Sequence, residues 1–228
     1  MTATTRRFSP ATPLRKRAFD LVLAALVLAL LWPLFLAIAV AIVLGSPGPV
    51  LYRGGRVGKD GRQFGLYKFR TMRADAEQLL ANLSDLNRGG PYMIRIPNDP
   101  RVTRVGRWLR RHNLDELPQV INVVRGEMSF IGPRPQAPDE VARYNNRQRR
   151  RLQVLPGITG LWQVTARHST DFDDWVRLDL QYIDAWSFWL DLKISWRTAG
   201  VLLFGSDIEV LDRQDADLGT EGPNVQSP

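Results

Sequence analysis

The sequence predicts a mixed, helix-rich α/β domain held on a membrane by one N-terminal helix, and three observations predict it. The 24 residues from Leu21 to Leu44 carry no charge, a run long enough to be a membrane segment. After Pro49 short apolar runs such as Val50 to Tyr52 and Phe64 to Phe69 stand between Gly-containing turns, the pattern of an α/β or α+β domain. From 172 to 204, Trp175, Trp186, Trp189 and Trp196 recur among apolar residues interrupted by single charges, which reads as amphipathic helix. The 228 residues hold one ordinary domain with appendages.

The expected organisation is a disordered N-terminus over 1–14, a membrane helix over 15–48, the domain over 49–204 and a polar, disordered tail over 205–228. With 44% apolar and 24% charged residues, a packed core is expected. Zero cysteines exclude disulfides, thiolate nucleophiles and Cys-ligated metals, and two histidines make a poor metal cluster. The net charge of +8 points to an anionic partner: nucleic acid, a phospholipid headgroup or a phosphorylated substrate.

The apolar run exceeds the ~7–15 residue core of a secretory signal. Trp32 and Pro33 stand at its midpoint, and an interior proline removes a hydrogen bond and clashes with the preceding turn, so a break is expected there. Each 12-residue half then reaches only ~18 Å, short of a ~30 Å hydrocarbon core. Arg6, Arg7, Arg15, Lys16 and Arg17 precede the run, and Arg53, Arg56, Lys59, Arg62, Lys68 and Arg70 follow it. Both flanks therefore favour the cytoplasm, as in a re-entrant helix broken at Pro33. A bent single span is the alternative.

Within the domain, Met72, Ala76, Leu79, Leu80, Leu83 and Leu86 predict an amphipathic helix over 72–86. A turn at Asn98, Asp99 and Pro100 introduces a helix on which Arg101, Arg104, Arg107 and Arg110 form a basic stripe. The Trp-bearing 172–204 segment fits either a helix lying flat on a membrane or a core helix. Gly54, Gly55, Gly58 and Lys59 fail the phosphate-loop spacing and read as a turn between strands.

The sharpest chemical feature is Asp115-Glu116 in Leu114-Asp115-Glu116-Leu117-Pro118-Gln119, with apolar residues following and Gly126 closing. Proline in a first turn and glycine after the last predict a short helix starting close to Asp115. Two acids beneath Arg107, Arg110 and Arg111 make a phosphoryl-transfer site, or else an N-cap and a dipole-favoured surface acid. Arg134 lies between Pro133 and Pro135, which pre-organises its guanidinium for a phosphate, or leaves it a surface loop residue. His168, beside Arg167 and without a partner other than His112, is read as non-catalytic.

Several blocks in one order resemble the bacterial sugar transferase family, the monotopic phosphoglycosyl transferases of glycan and exopolysaccharide assembly. They are Lys16-Arg17-Ala18-Phe19-Asp20, Ser46-Pro47-Gly48-Pro49-Val50, Tyr67-Lys68-Phe69-Arg70-Thr71-Met72, Leu114 to Gln119, Gly132-Pro133-Arg134-Pro135 and Pro156-Gly157-Ile158-Thr159-Gly160. The resemblance runs from about Arg15 to Phe204. It implies a bacterial inner-membrane enzyme, its domain on the cytoplasmic face, moving a sugar 1-phosphate from a UDP-sugar to polyprenol (undecaprenyl) phosphate with release of UMP. It implies Mg²⁺ at an Asp115-Glu116 dyad, Asp115 as the nucleophile forming an aspartyl phosphosugar, and Lys68, Arg110 and Arg134 near the substrate phosphates, with Arg70 of the Lys68 block taken with them. It agrees with a re-entrant helix and implies membrane lipids as partners and no nucleic acid, with a homodimer left open.

Three residues depart from the family pattern: Gly54 where glutamine is frequent, Leu155 where a basic residue precedes Pro-Gly, and Ala166 where glycine precedes Arg167. The Leu155 change removes a candidate phosphate contact that the family pattern implies, with Arg149, Arg150 and Arg151 nearby as candidate replacements. Tyr182 to Lys193 is similar to members that initiate exopolysaccharides with hexose 1-phosphates, in a compact, catalytic-core form. The rival readings are a membrane-tethered basic nucleic-acid binder, drawn from Arg147, Arg149, Arg150 and Arg151, and a non-catalytic scaffold.

Overall fold

The computed structural model describes residues 12–80, 96, 99–166, 169 and 171–204. The expectations for residues 1–11, 81–86 and 205–228, and for Asn98, Arg167 and His168, fall outside the described residues.

Helix α1 runs from Leu14 to Gly45. It is long and apolar enough to cross a membrane, and only 11% of its most apolar window is buried. That separates it from the core helix of a soluble protein, because Val22, Leu26, Leu30, Leu36, Val43 and Leu44 all face outward. Its inner side is packed along its full length. Ala24, Val27 and Phe35 sit against Leu66, Val120, Val123 and Met128, and Leu34, Ile38 and Ile42 against Phe69 and Leu109.

The expected break at Trp32 and Pro33 is corrected: the helix continues through both residues. A proline's fixed φ is itself helical, and Val27 and Phe35, on either side of it, pack on the same cluster. The domain thus splints the helix where the sequence weakens it.

Both ends of α1 are also tied by polar contacts. Lys16 Nζ donates to Asp191 Oδ2 at 2.7 Å, to Tyr182 at 3.1 Å and to the Ile131 carbonyl at 3.1 Å. Asp191 also accepts from Tyr182 and Trp186. Arg17 donates to the Val123 and Val124 carbonyls, and Asp20 Oδ1 accepts from Ser129 Oγ and Phe130 N, both at 3.0 Å. At the other end Arg70 donates to the carbonyls of Ser46, at 2.7 Å, and Pro47, satisfying acceptors next to the helix C-terminus.

Strands β1 (Leu51–Val57) and β2 (Gln63–Phe69) form an antiparallel hairpin. The expected turn at Gly54 and Gly55 is corrected, since both residues lie inside β1 opposite Leu66 and Gly65. The chain reverses later, at Gly58 to Arg62, through Asp60 and Gly61 at φ 57° and 78°. Helix α2 spans Ala76–Leu80, so the expected helix begins later than Met72, which instead bridges to Val102. Helix α3 (Arg104–Arg111) is capped by Thr103, whose hydroxyl accepts from Gly106 N. Arg101 is not on the stripe: it precedes α3 and is buried against Asp99 at 2.7 Å.

A 3-10 helix, Leu114–Gln119, leads into α4 (Val120–Arg125), which Gly126 ends in the left-handed conformation. The predicted short helix is therefore present, with a tighter first half that accommodates Pro118. Strand β3 (Ser129–Ile131) pairs in parallel with β4 (Gly157–Thr159). Between them lie α5 (Pro138–Ala142) and α6 (Asn146–Arg149), and α7 (Leu161–Thr165) follows.

The 172–204 segment is two helices, α8 (Phe172–Asp184) and α9 (Phe188–Phe204). Its tryptophans fall into two groups. Trp175 is buried and stacked on Trp162 with ring centroids 4.6 Å apart, whereas Trp189 and Trp196 on α9 are 78% and 83% exposed.

The Lys16–Asp191 pair is buried, and removing one partner leaves the other charge uncompensated. Asp191→Ala should destabilise the protein by about 3–5 kcal/mol. A thermal melt in detergent reads this as a Tm lowered by roughly 10 °C, whereas an unchanged Tm would show that the pin holds nothing.

Candidate active site

Three chain segments converge on the acidic pair. After α3 the chain turns back through Asn113, at φ 55°, a left-handed conformation that asparagine tolerates better than most residues. The following 3-10 turn packs against β2 and brings Asp115 and Glu116 beside Lys68. The third segment is the loop from Gly132 to Gln136. Gly132 and Gly157 lie so close that a Cβ on either would strike the other's backbone, which lets Gly132 N reach Thr159 O at 3.0 Å and Gly157 N reach Pro133 O at 2.9 Å.

Glu116 is the centre of the charge pattern. Its Oε1 accepts from Lys68 Nζ at 2.7 Å and from Arg134 Nη2 at 2.8 Å, with Arg134 Nη1 at 3.5 Å from Oε2. Burial works against its ionisation, but Arg134 and Lys68 outweigh burial and hold its carboxyl far below the usual carboxylate range. Arg134 is correspondingly raised, first by Glu116.

Asp115 is in a different state one residue away. It is 8% exposed, its nearest cation is Lys68 at 3.9 Å, and among the described residues its carboxylate accepts no hydrogen bond. Burial pushes its carboxyl above the ordinary aspartate value, with Lys68 and more weakly Arg110 and Arg134 pulling it back. Adjacent acids with carboxyls pushed in opposite directions mark a division of roles: Glu116 is a fixed anion and Asp115 a free one.

Arg110 Nε donates to Thr71 Oγ1 at 2.9 Å. Thr71 is held in turn by close packing of Gly106, where a Cβ would collide with the Thr71 backbone. Lys68, Arg110, Arg134, Asp115 and Glu116 are thus brought together as the sequence led us to expect. Arg70 is not among them. Its two terminal guanidinium nitrogens donate to the Ser46 and Pro47 carbonyls, so its contacts give it the anchoring of α1 rather than a place beside the acidic pair.

The donor set fits a magnesium ion. Magnesium takes one or two carboxylates and completes its shell with water and phosphate oxygens. Asp115 offers a carboxylate without hydrogen bonds, and Glu116 Oε2 is less engaged than Oε1. No cluster of three or more acidic, histidine or cysteine side chains occurs among the described residues.

Sequence reasoning missed three supporting groups: Thr71, the Arg151–Asp179 pair behind Arg134, and the Lys16–Asp191 pin. The legible signals were single charges inside apolar stretches, Asp179 between Leu178 and Leu180 and Asp191 between Leu190 and Leu192.

Several known proteins are similar to this chain. The Galactosyl transferase CpsE of Streptococcus agalactiae serotype III (strain NEM316) is 48% identical over 160 residues, 70% of this chain and 36% of that protein. The Undecaprenyl-phosphate galactose phosphotransferase of Salmonella typhimurium (strain LT2) is 40% identical over 192 residues, 82% of this chain and 40% of the relative. The Exopolysaccharide production protein ExoY of Rhizobium meliloti (strain 1021) is 39% identical over 193 residues, covering 83% of this chain and 85% of that protein. The chain therefore spans about two fifths of the first two relatives and most of the third. The sequence profile of the family described as Bacterial sugar transferase matches residues 11–205, which include α1, the dyad and the Arg134 loop, and the chain belongs to that family.

Proposed function

We propose that this chain is a phosphoglycosyl transferase that moves a hexose 1-phosphate from a UDP-hexose to undecaprenyl phosphate, releasing UMP and starting a surface polysaccharide. The observation that carries the reading is the free, buried Asp115 carboxylate beside a Glu116 fixed by Lys68 and Arg134. Relatives named for transfer of galactose or glucose phosphate to undecaprenyl phosphate support it.

The chemistry follows from the charges. A carboxylate attacking a diphosphate meets like charge, so cations must first neutralise the phosphoryl oxygens. Lys68, Arg110 and Arg134 supply three. A magnesium ion held by Asp115 and Glu116 would supply further neutralisation of the diphosphate and its leaving group. Asp115 attacks the phosphorus that bears the sugar, the bond from that phosphorus to the bridging oxygen breaks, and UMP leaves with the bridging oxygen. A phosphate oxygen of undecaprenyl phosphate then attacks the aspartyl phosphosugar, the acyl phosphate bond breaks, and the Asp115 carboxylate is regenerated.

The packing of α1 supports a membrane arrangement. The helix's two ends and its middle pack on one domain, which supports both flanks lying on one face, because carrying them to opposite faces would draw the domain into lipid. We therefore read α1 as immersed from one face, the cytoplasmic one, at the inner membrane where UDP-sugars are available. Trp189 and Trp196 on the outer side of α9 suit the headgroup level. Undecaprenyl phosphate reaches the site along that face.

Release of UMP from UDP-glucose or UDP-galactose, dependent on undecaprenyl phosphate and Mg²⁺, tests the reading; a well-folded preparation that releases none from any UDP-sugar contradicts it. Asp115→Asn matches the acid in size but cannot attack effectively, so turnover should fall at least about a thousandfold with the Tm retained. Near-wild-type turnover would exclude Asp115. Arg134→Lys should lose about tenfold or more, since an ammonium cannot reproduce the forked contact; unchanged kinetics would leave Arg134 a loop residue. Single cysteines at Thr5→Cys and Arg62→Cys, on either side of α1 in a chain without native cysteine, should both resist an impermeant thiol reagent in intact cells and react after permeabilisation. Labelling of only one in intact cells would mean that α1 spans the membrane.

A further inference from the structure

Arg134 is unusual in the way that its backbone is held. Its loop neighbours are fixed by backbone hydrogen bonds: Gly132 N to Thr159 O, Gly157 N to Pro133 O and Val57 N to Gln136 O. The Arg134 carbonyl instead accepts from a side chain, Arg151 Nη2 at 3.2 Å. Arg151 is 3% exposed, and each of its guanidinium nitrogens is used. Its Nε donates to Asp179 Oδ2 at 2.8 Å and its Nη1 to the Tyr144 hydroxyl at 2.6 Å. Its Nη2 lies 2.7 Å from Asp179, and the group sits over the Tyr144 and Phe172 rings at 5.8 and 5.5 Å.

Burial makes this pair a weak source of stability. Asp179 is 1% exposed, and burial pushes its carboxyl up to about 6 in spite of Arg151. An acid whose value rises on folding binds more protons folded than unfolded, so this charge opposes folding as pH rises from the unfolded value toward 6. Buried pairs of this kind are often replaceable by apolar residues without loss of stability. What Arg151 does hold is the backbone of the residue whose guanidinium clamps Glu116.

We propose that Arg151, oriented by Asp179, is a positioning residue for the phosphoryl-transfer site: it fixes the Arg134 carbonyl and thereby aims the Arg134 guanidinium at Glu116 and the donor diphosphate. This inference rests on the transferase reading above. Two prolines restrict the Arg134 backbone but supply no donor, and the rigid, planar Arg151 fork joins the α8 residue Asp179 to the loop at a fixed distance. Arg151 touches none of the reacting atoms itself, so its influence has to pass through Arg134.

The test is a double-mutant cycle on the full chain in detergent or nanodiscs, reading UMP release from a UDP-hexose with undecaprenyl phosphate. Arg151→Met combined with Asp179→Leu removes both charges and leaves neither buried alone. The Tm should stay within a few degrees while kcat/KM for the UDP-sugar falls about tenfold. In an Arg134→Lys background the same pair should cost less than about twofold more, because the aim it controls is already lost. A folded pair variant with wild-type kcat/KM, or an equal loss in both backgrounds, would overturn the proposal. Should that variant not fold, Arg151→Lys decides: it keeps a charge beside Asp179 but cannot also reach the Arg134 carbonyl, so a tenfold loss supports the role and wild-type kinetics overturns it. A wild-type chain that releases no UMP would overturn the transferase reading itself, and this inference with it.

Discussion

Glu116 held between Lys68 and Arg134 is the interaction on which the rest of the site depends. Two acids side by side in a half-buried turn repel each other and the phosphates they must meet. Committing one of them to two cations resolves this. Glu116 becomes a fixed anion that draws Lys68 and Arg134 in from β2 and from the proline-bounded loop. Among the described residues Asp115 has Lys68 at 3.9 Å as its nearest cation and accepts no hydrogen bond, the condition in which a carboxylate retains lone pairs for phosphorus or metal. On the proposed reading the cations are already assembled when an anionic donor arrives, so little rearrangement is needed before attack.

The same logic of committed charges attaches the domain to its membrane helix. Lys16, Arg17 and Asp20 occupy the first turns of α1, where they read as flank charges that would simply keep the helix end in water. In the fold they reach inward, to Asp191, to the end of α4 just past the dyad, and to β3 just before the Arg134 loop. Arg70 does the corresponding work at the other end. The helix is thus built into the frame of the site, and lipid meets a surface whose position relative to Asp115 is set.

The parts legible in the sequence were those with a local signature. The charge-free run, the Asp-Glu pair ahead of Pro118, the Gly126 helix stop and the arginine between two prolines each carry their physics within a few residues. What was not legible depended on distant partners. Arg70 stands two residues from Lys68, just past the end of β2, yet Lys68 reaches Glu116 and Arg70 the end of α1; nothing in the local sequence distinguishes them. The break expected at Pro33 failed because the penalty of a helical proline was judged for an isolated helix, whereas Val27, Leu34 and Phe35 pack the two sides on one surface. The glycines of β1 were read as a turn once the phosphate-loop spacing failed, but Gly54 lies within the strand opposite Leu66, where a Cβ would press on the Tyr52 ring. The tryptophans of 172–204 could be sorted into core and surface only once α8 and α9 were seen to be separate helices.

The central claim, that Asp115 is the nucleophile and Glu116 is not, is open to direct observation. Purified chain incubated with a UDP-hexose and Mg²⁺, without undecaprenyl phosphate, should release at most one UMP per chain and gain the mass of one hexose phosphate. Peptide mass spectrometry of the rapidly quenched protein should find that mass on Asp115, and adding undecaprenyl phosphate before the quench should remove it. Mass gained on Glu116 or elsewhere would contradict the assignment. UMP release that begins only when undecaprenyl phosphate is present, with no adduct at any time, would replace the two-step account with direct displacement.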